Sequence, residues 1–159
     1  MPRWTGTWLD GPGVTLRELR NAQTWPGSRL GLPREGSGSV APFSVRAVAF
    51  LVDIVSSSLV AGLIAANLEH PSPTDRQLTA YLVLFLEQVL LIGLTGQTLG
   101  MRFLDLKVLR IKAADRPPGF LTALVRTVPL LLTAGLAGFF TRDGRGVHDL
   151  AAGSVVVRD

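Results

Sequence analysis

Two charged residues lie in the otherwise apolar run RAVAFLVD, with Arg46 at its start and Asp53 at its end. Residues seven positions apart lie on the same face of a helix, about 10 Å apart along its axis. In a segment that crosses a bilayer, this spacing puts Arg46 at the interface and Asp53 near the centre. A charged carboxylate at that depth costs at least about 2.5–3.5 kcal/mol. Asp53 therefore needs a partner or a proton.

Two further charged residues, Glu87 and Arg126, are predicted at a similar depth in other apolar stretches. With Asp53 they form a predicted intramembrane charge cluster, in which Arg126 is the expected partner of Asp53. The alternative partners are nearby hydroxyl groups, those of Ser56, Ser57 and Ser58. Such a cluster can carry protons or cations, or it can hold helical segments together. We favour the second role, because so few segments enclose little volume for a substrate.

His148 and Asp149 are adjacent and could perform acid–base chemistry or bind a metal. The other histidine, His70, is predicted on the opposite side of the membrane, so we expect no metal site. Asp149 is instead expected to cap a turn or to pair with Arg46 at the membrane surface. The absence of cysteine excludes disulfides and thiolate chemistry. No phosphate loop or nucleophile triad is recognisable, so we expect no catalytic residues and no cofactor.

Apolar segments must position these residues. The chain has 159 residues, 47% of them hydrophobic and 18% charged, which is typical of a membrane protein. Residues 43–66 are long enough to cross about 30 Å of hydrocarbon, and residues 78–94 are slightly short but within the usual range of crossing helices. Residues 119–140 have the length but contain Pro129, which is expected to break the helix. The predicted fold is an all-α integral membrane protein with two transmembrane helices and a third, proline-broken membrane segment.

The basic residues of the loops predict the orientation, because short cytoplasmic loops are enriched in Lys and Arg. They are frequent before residue 43, between residues 94 and 119 and after residue 140, whereas the link between the first two segments contains only Arg76. Both termini are therefore predicted to be cytoplasmic. A third crossing would contradict this, so we favour a segment 119–140 that enters and leaves on one side over one that crosses.

Residues 1–42 are rich in glycine and proline and are predicted to form an irregular cytoplasmic arm. Thr15 and Glu18 have capping-box spacing and predict one short helix in it. The arm contains every tryptophan of the chain: Trp4, Trp8 and Trp25. Because tryptophans dominate binding energy at many interfaces, we expect these three to dock the arm onto a partner protein. The alternative is an aromatic belt at the lipid headgroups.

Two short elements are predicted after the second segment. Residues 98–104 (TLGMRFL) are expected to form an interfacial helix with Met101, Phe103 and Leu104 facing acyl chains. Residues 105–112 (DLKVLRIK) and the tail GSVVVRD are rich in β-branched and alternating residues. They predict a small antiparallel pair on the cytoplasmic side.

Three blocks in this order resemble the RDD family of small integral membrane proteins. They are the R-x6-D of Arg46 and Asp53, GQTLGMRFLDLKVLR at 96–110 and GVHDLAAGSVVV at 146–157. The resemblance covers residues 43–157, taken as the membrane domain, and the arginine and two aspartates that name the family would be Arg46, Asp53 and Asp149. It implies a bacterial cytoplasmic membrane, and either transport of unknown ligands or attachment to larger membrane complexes. It offers no catalytic residues.

The expected function is that of a non-catalytic accessory subunit of a larger membrane protein complex, embedded in the lipid bilayer. The resemblance and the arm together favour an actinobacterial respiratory chain complex as the host. The alternative is a homo-oligomeric transporter or channel for a proton, a cation or a small ligand. Nucleic-acid binding is not expected, because the basic residues behind the net charge of +4 are spread through the loops.

Overall fold

The structure is a computed structural model, and it describes residues 25–68, 70–111, 113–133 and 144–159. The predicted arm helix near Thr15 lies outside these residues. The elements follow in chain order: a 3₁₀ helix (Ser28–Leu30), α1 (Phe43–Ala65), α2 (Pro73–Thr95), α3 (Leu99–Phe103), β1 (Leu106–Arg110), α4 (Phe120–Leu132), α5 (Val147–Ala151) and β2 (Ser154–Arg158).

Helices α1 and α2 form a hairpin, and both are long and apolar enough to cross a membrane. Each has 23 residues, about 35 Å of helix. Along α1 a buried stripe repeats every four residues: Ala49, Asp53, Ser57, Ala61 and Ala65. Its side chains are small, which lets the backbones of two helices approach closely. The large apolar side chains of α1, among them Leu51, Val55, Leu59 and Leu63, are exposed.

Helix α2 begins five residues before the predicted segment 78–94. Ser72 and Asp75 form a reciprocal capping box, and Pro73 occupies the first turn. These polar residues are invisible to a search for apolar length, which explains the late predicted start. The helix ends at Gly96, whose φ of 78° suits glycine. We call the end of the hairpin near Ala65 and Pro73 the link end, and the opposite end the sheet end.

The sheet end carries the predicted β pair, which is confirmed. Strands β1 and β2 are antiparallel, with Val108 opposite Val156. The residues before α1 extend the sheet, because the backbone N–H of Gly38 donates to Arg158 O at 2.8 Å and that of Ala41 donates to Val156 O at 3.0 Å. The interpretation of all of residues 1–42 as an irregular arm is therefore wrong for its last residues.

Helix α3 follows α2 after a short turn, and the Thr98 side chain caps it. The expectation that Met101 faces acyl chains is wrong, since Met101 is only 6% exposed and belongs to the core cluster. Phe103 is 79% exposed and is free to face lipid. Because a helix of one turn that packs on α1 must bury one side, only part of an apolar run can point outward.

The third apolar segment begins with α4, a helix of 13 residues that contains Pro129 and ends three residues later. The helix thus runs through Pro129. Near its start the Phe120 ring packs against Gly93 of α2, where a Cβ would lie 2.7 Å from the ring. Residues 134–143 lie outside the described residues, so whether segment 119–140 crosses or re-enters stays a prediction.

Candidate functional site

A buried ion cluster lies at the sheet end and is centred on Asp149, which is 0% exposed. Arg126 of α4 donates its Nε–H to Asp149 Oδ1 at 2.8 Å. Arg46 of α1 donates from Nη2 to Asp149 Oδ2, and its Nη1 donates to Gly144 O at 2.9 Å. The backbone N–H of Gly146 also donates to Asp149 Oδ2, at 3.2 Å. One carboxylate therefore joins α1, α4 and the first turn of α5.

The electrostatics of this cluster follow from its burial and its two arginines. Burial alone would raise the pKa of Asp149, but the guanidinium groups of Arg126 and Arg46 outweigh it and hold this pKa well below its usual range. His148, beside it, is also buried. Desolvation lowers the pKa of His148 to about 4, so its imidazole is neutral at physiological pH. At neutral pH the cluster therefore holds an ionised Asp149 beside a neutral His148.

Asp53 is 1% exposed and forms a second, separate polar network. Its Oδ2 accepts hydrogen bonds from Gln88 Nε2 at 2.9 Å and Thr98 Oγ1 at 2.7 Å. Its Oδ1 accepts one from the backbone N–H of Gly100 at 2.7 Å. The aspartate thus connects α1 with α2 and with the first turn of α3.

Gly100 is required for this arrangement. A Cβ at this position would overlap the carbonyl oxygen of Ala49 and would lie 2.9 Å from Asp53 Oδ1. The backbone of α3 reaches the carboxylate only because residue 100 lacks a side chain.

Glu87 lies next to the Asp53 network. Ser57 Oγ donates to Glu87 Oε2. The carboxyl groups of Glu87 and Asp53 are close enough to interact electrostatically. Glu87 Oε1 and Gln88 Oε1 are buried and accept no hydrogen bond of good geometry from the described residues. Beside a second carboxyl group, they form an incomplete polar spot within the part of the chain that the structure describes.

The structure divides the predicted cluster of Asp53, Glu87 and Arg126. The expected Asp53–Arg126 pair is wrong, because Arg126 turns to Asp149 and Asp53 accepts neutral donors instead. The pairing of Asp149 with Arg46 and the capping of a turn by Asp149 are both present. Depth along a helix can be read from spacing, but the direction in which a side chain points across the bundle cannot.

The hydroxyls considered for Asp53 have other partners. Ser57 serves Glu87, whereas Ser56 and Ser58 donate to the carbonyls of Asp53 and Ile54 on their own helix, at 3.0 and 2.7 Å. The true partners of Asp53, apart from Gln88, lie in the block GQTLGMRFLDLKVLR. In the sequence, that block stands out as a motif and not as a source of hydrogen-bond donors for the carboxylate.

The predicted docking tryptophans are only partly described. Trp4 and Trp8 lie outside the described residues. Trp25 is half-buried, and its indole N–H donates to Leu32 O at 3.0 Å. Its polar group is therefore already used inside the chain, and what it offers a partner is its ring.

Within the described residues, no group of three or more His, Asp or Glu side chains could hold a metal ion. Two long apolar helices around buried charged residues define a membrane protein. The model of the RDD family matches residues 40–153, and the chain belongs to this family. A search of curated proteins and a search of solved structures gave no match.

Proposed function

We propose that this chain is a non-catalytic accessory subunit of a larger membrane protein complex. The observation that supports the proposal is that its buried ionisable groups hold its own elements together. Asp149 joins α1, α4 and α5, and Asp53 joins α1, α2 and α3. Such networks give a small membrane protein one defined shape, and these hydrogen bonds use the carboxylates of Asp149 and Asp53 for contacts between elements.

Among the described residues, the outer faces of the long helices are left for a partner, and the sequence of residues 1–24 supplies further candidate contacts. The outer faces carry large apolar side chains that suit either lipid or a neighbouring helix. Trp4 and Trp8 fall in residues 1–24 and are the side chains from which we expect most of the docking energy. A respiratory chain complex of a bacterial cytoplasmic membrane is the host we propose to test first.

The test is to purify the tagged full-length protein from its native membrane in mild detergent and to identify what accompanies it. We expect a stoichiometric set of larger subunits. The double variant Trp4→Ala/Trp8→Ala should insert normally but lose these subunits. Thr5→Ala/Thr7→Ala, at neighbouring positions, is the matched control and should keep them. Full retention by the tryptophan variant would place attachment on the helices, and purification without other subunits would end the proposal.

The sheet supports the proposal that residues 38–41 and β2 lie on the same side of the membrane. The hairpin α1–α2 returns the chain to the side on which it started, and β1 follows α2 after the one-turn helix α3. Residues 38–41 and β1 both bond to β2. The chain between β1 and β2 therefore leaves and returns on one side, which favours re-entry of segment 119–140 over a crossing. With the basic loops, this side is the cytoplasm.

This topology is testable because the chain has no cysteine of its own. Single cysteines at His70 in the link and at Asp159 beyond β2 are both exposed. An impermeant thiol reagent added to intact cells should label the first and not the second. Labelling of both, or of Asp159→Cys alone, would contradict the proposed orientation.

A homo-oligomeric transporter or channel is the second candidate, and the incomplete polar spot at Glu87 and Gln88 favours it. Acceptor oxygens without donors suit a proton or a cation. The purified protein would then be a homo-oligomer, and liposomes containing it would show proton or cation flux. Glu87→Gln should abolish this flux, whereas Glu35→Gln, which changes an exposed residue, should not.

A further inference from the structure

A groove lies between α1 and α2 at the link end, far from the two polar networks. Its volume is about 560 Å³. Its floor consists of small side chains from both helices: Ala61, Gly62, Ala65, Ala66 and Ala80. Ser58 closes one end, and Arg76 and Gln77 form the rim at the other.

None of the described residues fills the groove. A Cβ added to Gly62 would meet no atom within 4 Å. Glycine in a helix interior is less favourable than alanine, so Gly62 lowers the stability of α1 without serving a contact inside the chain. Most of the residues that line the groove are apolar, and most of these are alanine or glycine. This chemistry suits a hydrocarbon chain.

The rim adds a positive charge. Arg76 is exposed in the first turns of α2, and it forms no ion pair among the residues that the structure describes. The neighbouring carboxylate of Asp75 is occupied by the cap, where it accepts from Ser72 N at 2.9 Å and Ser72 Oγ at 2.7 Å. At the start of a membrane-crossing helix, the Arg76 guanidinium reaches the depth of the lipid phosphates.

We propose that this groove binds an anionic phospholipid, with one acyl chain along the small-residue floor and the phosphate paired with Arg76. A guanidinium pairs well with a phosphate, and the Gln77 amide is within the same rim. A second copy of the chain fits less well. A two-fold contact through the groove would bring Arg76 of each copy to the same rim, and like charges there repel.

The experiment measures lipid retention by the full-length protein in detergent. Phosphatidylglycerol or phosphatidylcholine with identical acyl chains is added, and bound lipid is counted by native mass spectrometry. We expect about fivefold more retained phosphatidylglycerol, the factor that one basic residue supplies at an anionic surface. Arg76→Gln should remove this preference. Gly62→Leu should reduce retention of both lipids, because its side chain fills the groove.

Arg116→Gln is the matched control, since it removes the same charge from an exposed loop outside the groove, and it should behave as the parent protein. Equal retention of the two lipids by the parent protein would overturn the proposal. So would a preference that survives Arg76→Gln. A dimer that disappears in Gly62→Leu would identify the groove as a contact between copies and would also overturn it. Because Arg76 is exposed, its variant remains informative if Gly62→Leu fails to fold.

Discussion

The sheet end and the link end of the same helical hairpin are built in opposite ways. At the sheet end, α1 is tied to α2, α3, α4 and α5 through Asp53 and through the Asp149 ion cluster. At the link end, the described residues leave a groove between α1 and α2 that is lined mostly by small side chains and is open beside Gly62. This difference indicates that the buried polar networks lie where short elements must be positioned. Two long helices need few polar groups to pack against each other.

The largest effect should come from removing the centre of the ion cluster. Asp149→Leu leaves Arg46 and Arg126 buried without a counter-charge, and breaking such a buried pair costs about 3–5 kcal/mol. We expect little folded protein in the membrane and a much lower melting temperature in detergent. Asp115→Leu, which removes an exposed aspartate, should change stability by less than about 0.5 kcal/mol. Normal accumulation of Asp149→Leu would show that the cluster is not what holds the sheet end.

The next effect should come from Asp53. Asp53→Leu leaves three donors without an acceptor, those of Gln88, Thr98 and Gly100. An unsatisfied buried donor costs about 1–3 kcal/mol. The free energy of unfolding of this variant should therefore fall by at least about 2–3 kcal/mol. Asp53→Asn keeps one acceptor oxygen and should lose less. Thermal unfolding that ranks the two variants in the opposite order would contradict the network.

The packing at the sheet end and at the link end can be compared directly by adding one methyl group at each end. Gly100→Ala places a Cβ against the Ala49 carbonyl and should cost about 1–3 kcal/mol through overpacking. Gly62→Ala places the same group in open space and should stabilise α1 by about 0.5–1 kcal/mol. Melting temperatures of the two variants should therefore move in opposite directions. A shift of the same sign would mean that the two ends do not differ in packing as described.

A further effect should be a pH dependence at the sheet end. The pKa of His148 falls from 6.5 to about 4 on folding, so the unfolded chain binds the proton more readily. Stability is then fully present above the unfolded pKa of 6.5 and is lost as the pH falls toward 4. Between about pH 7 and pH 5 the loss should be about 1–2 kcal/mol.

His148→Gln should remove this pH dependence, because the amide does not titrate. The midpoint of thermal unfolding at the two pH values measures it in both proteins. An equal loss in the parent protein and in His148→Gln would assign the effect to other groups.

Much of the fold could be predicted from the sequence, because its signals are local. Apolar length located both long helices, and alternation with β-branched residues located the strands. The start of α2 was missed because a capping box is made of polar residues. The membership of residues 38–41 in the sheet was missed because Gly38 and Ser39 carry no strand signal, and their hydrogen bonds depend on a strand more than a hundred residues away.

The candidate site could be predicted less well. Arg46, Asp53 and Asp149 stood out by type and position, and the Arg46–Asp149 pair is present. The assignment of Arg126 to Asp53 failed because two buried carboxylates compete for it and the sequence does not say which is nearer. Thr98 and Gly100 could not be recognised as partners of Asp53 from the sequence. Thr98 is a common residue at a helix N-cap, and Gly100 contributes only its backbone N–H.

Strand β2 has a consequence for the order of assembly. It bonds to β1 and also to residues 38–41, and it follows both of them in the chain. During synthesis, α1 and α2 can enter the membrane while both of its neighbours still lack their common partner. Contacts between segments so distant in sequence form slowly. The backbone groups of β1 and of residues 38–41 that pair with β2 therefore stay unpaired until β2 has been synthesised and has reached them.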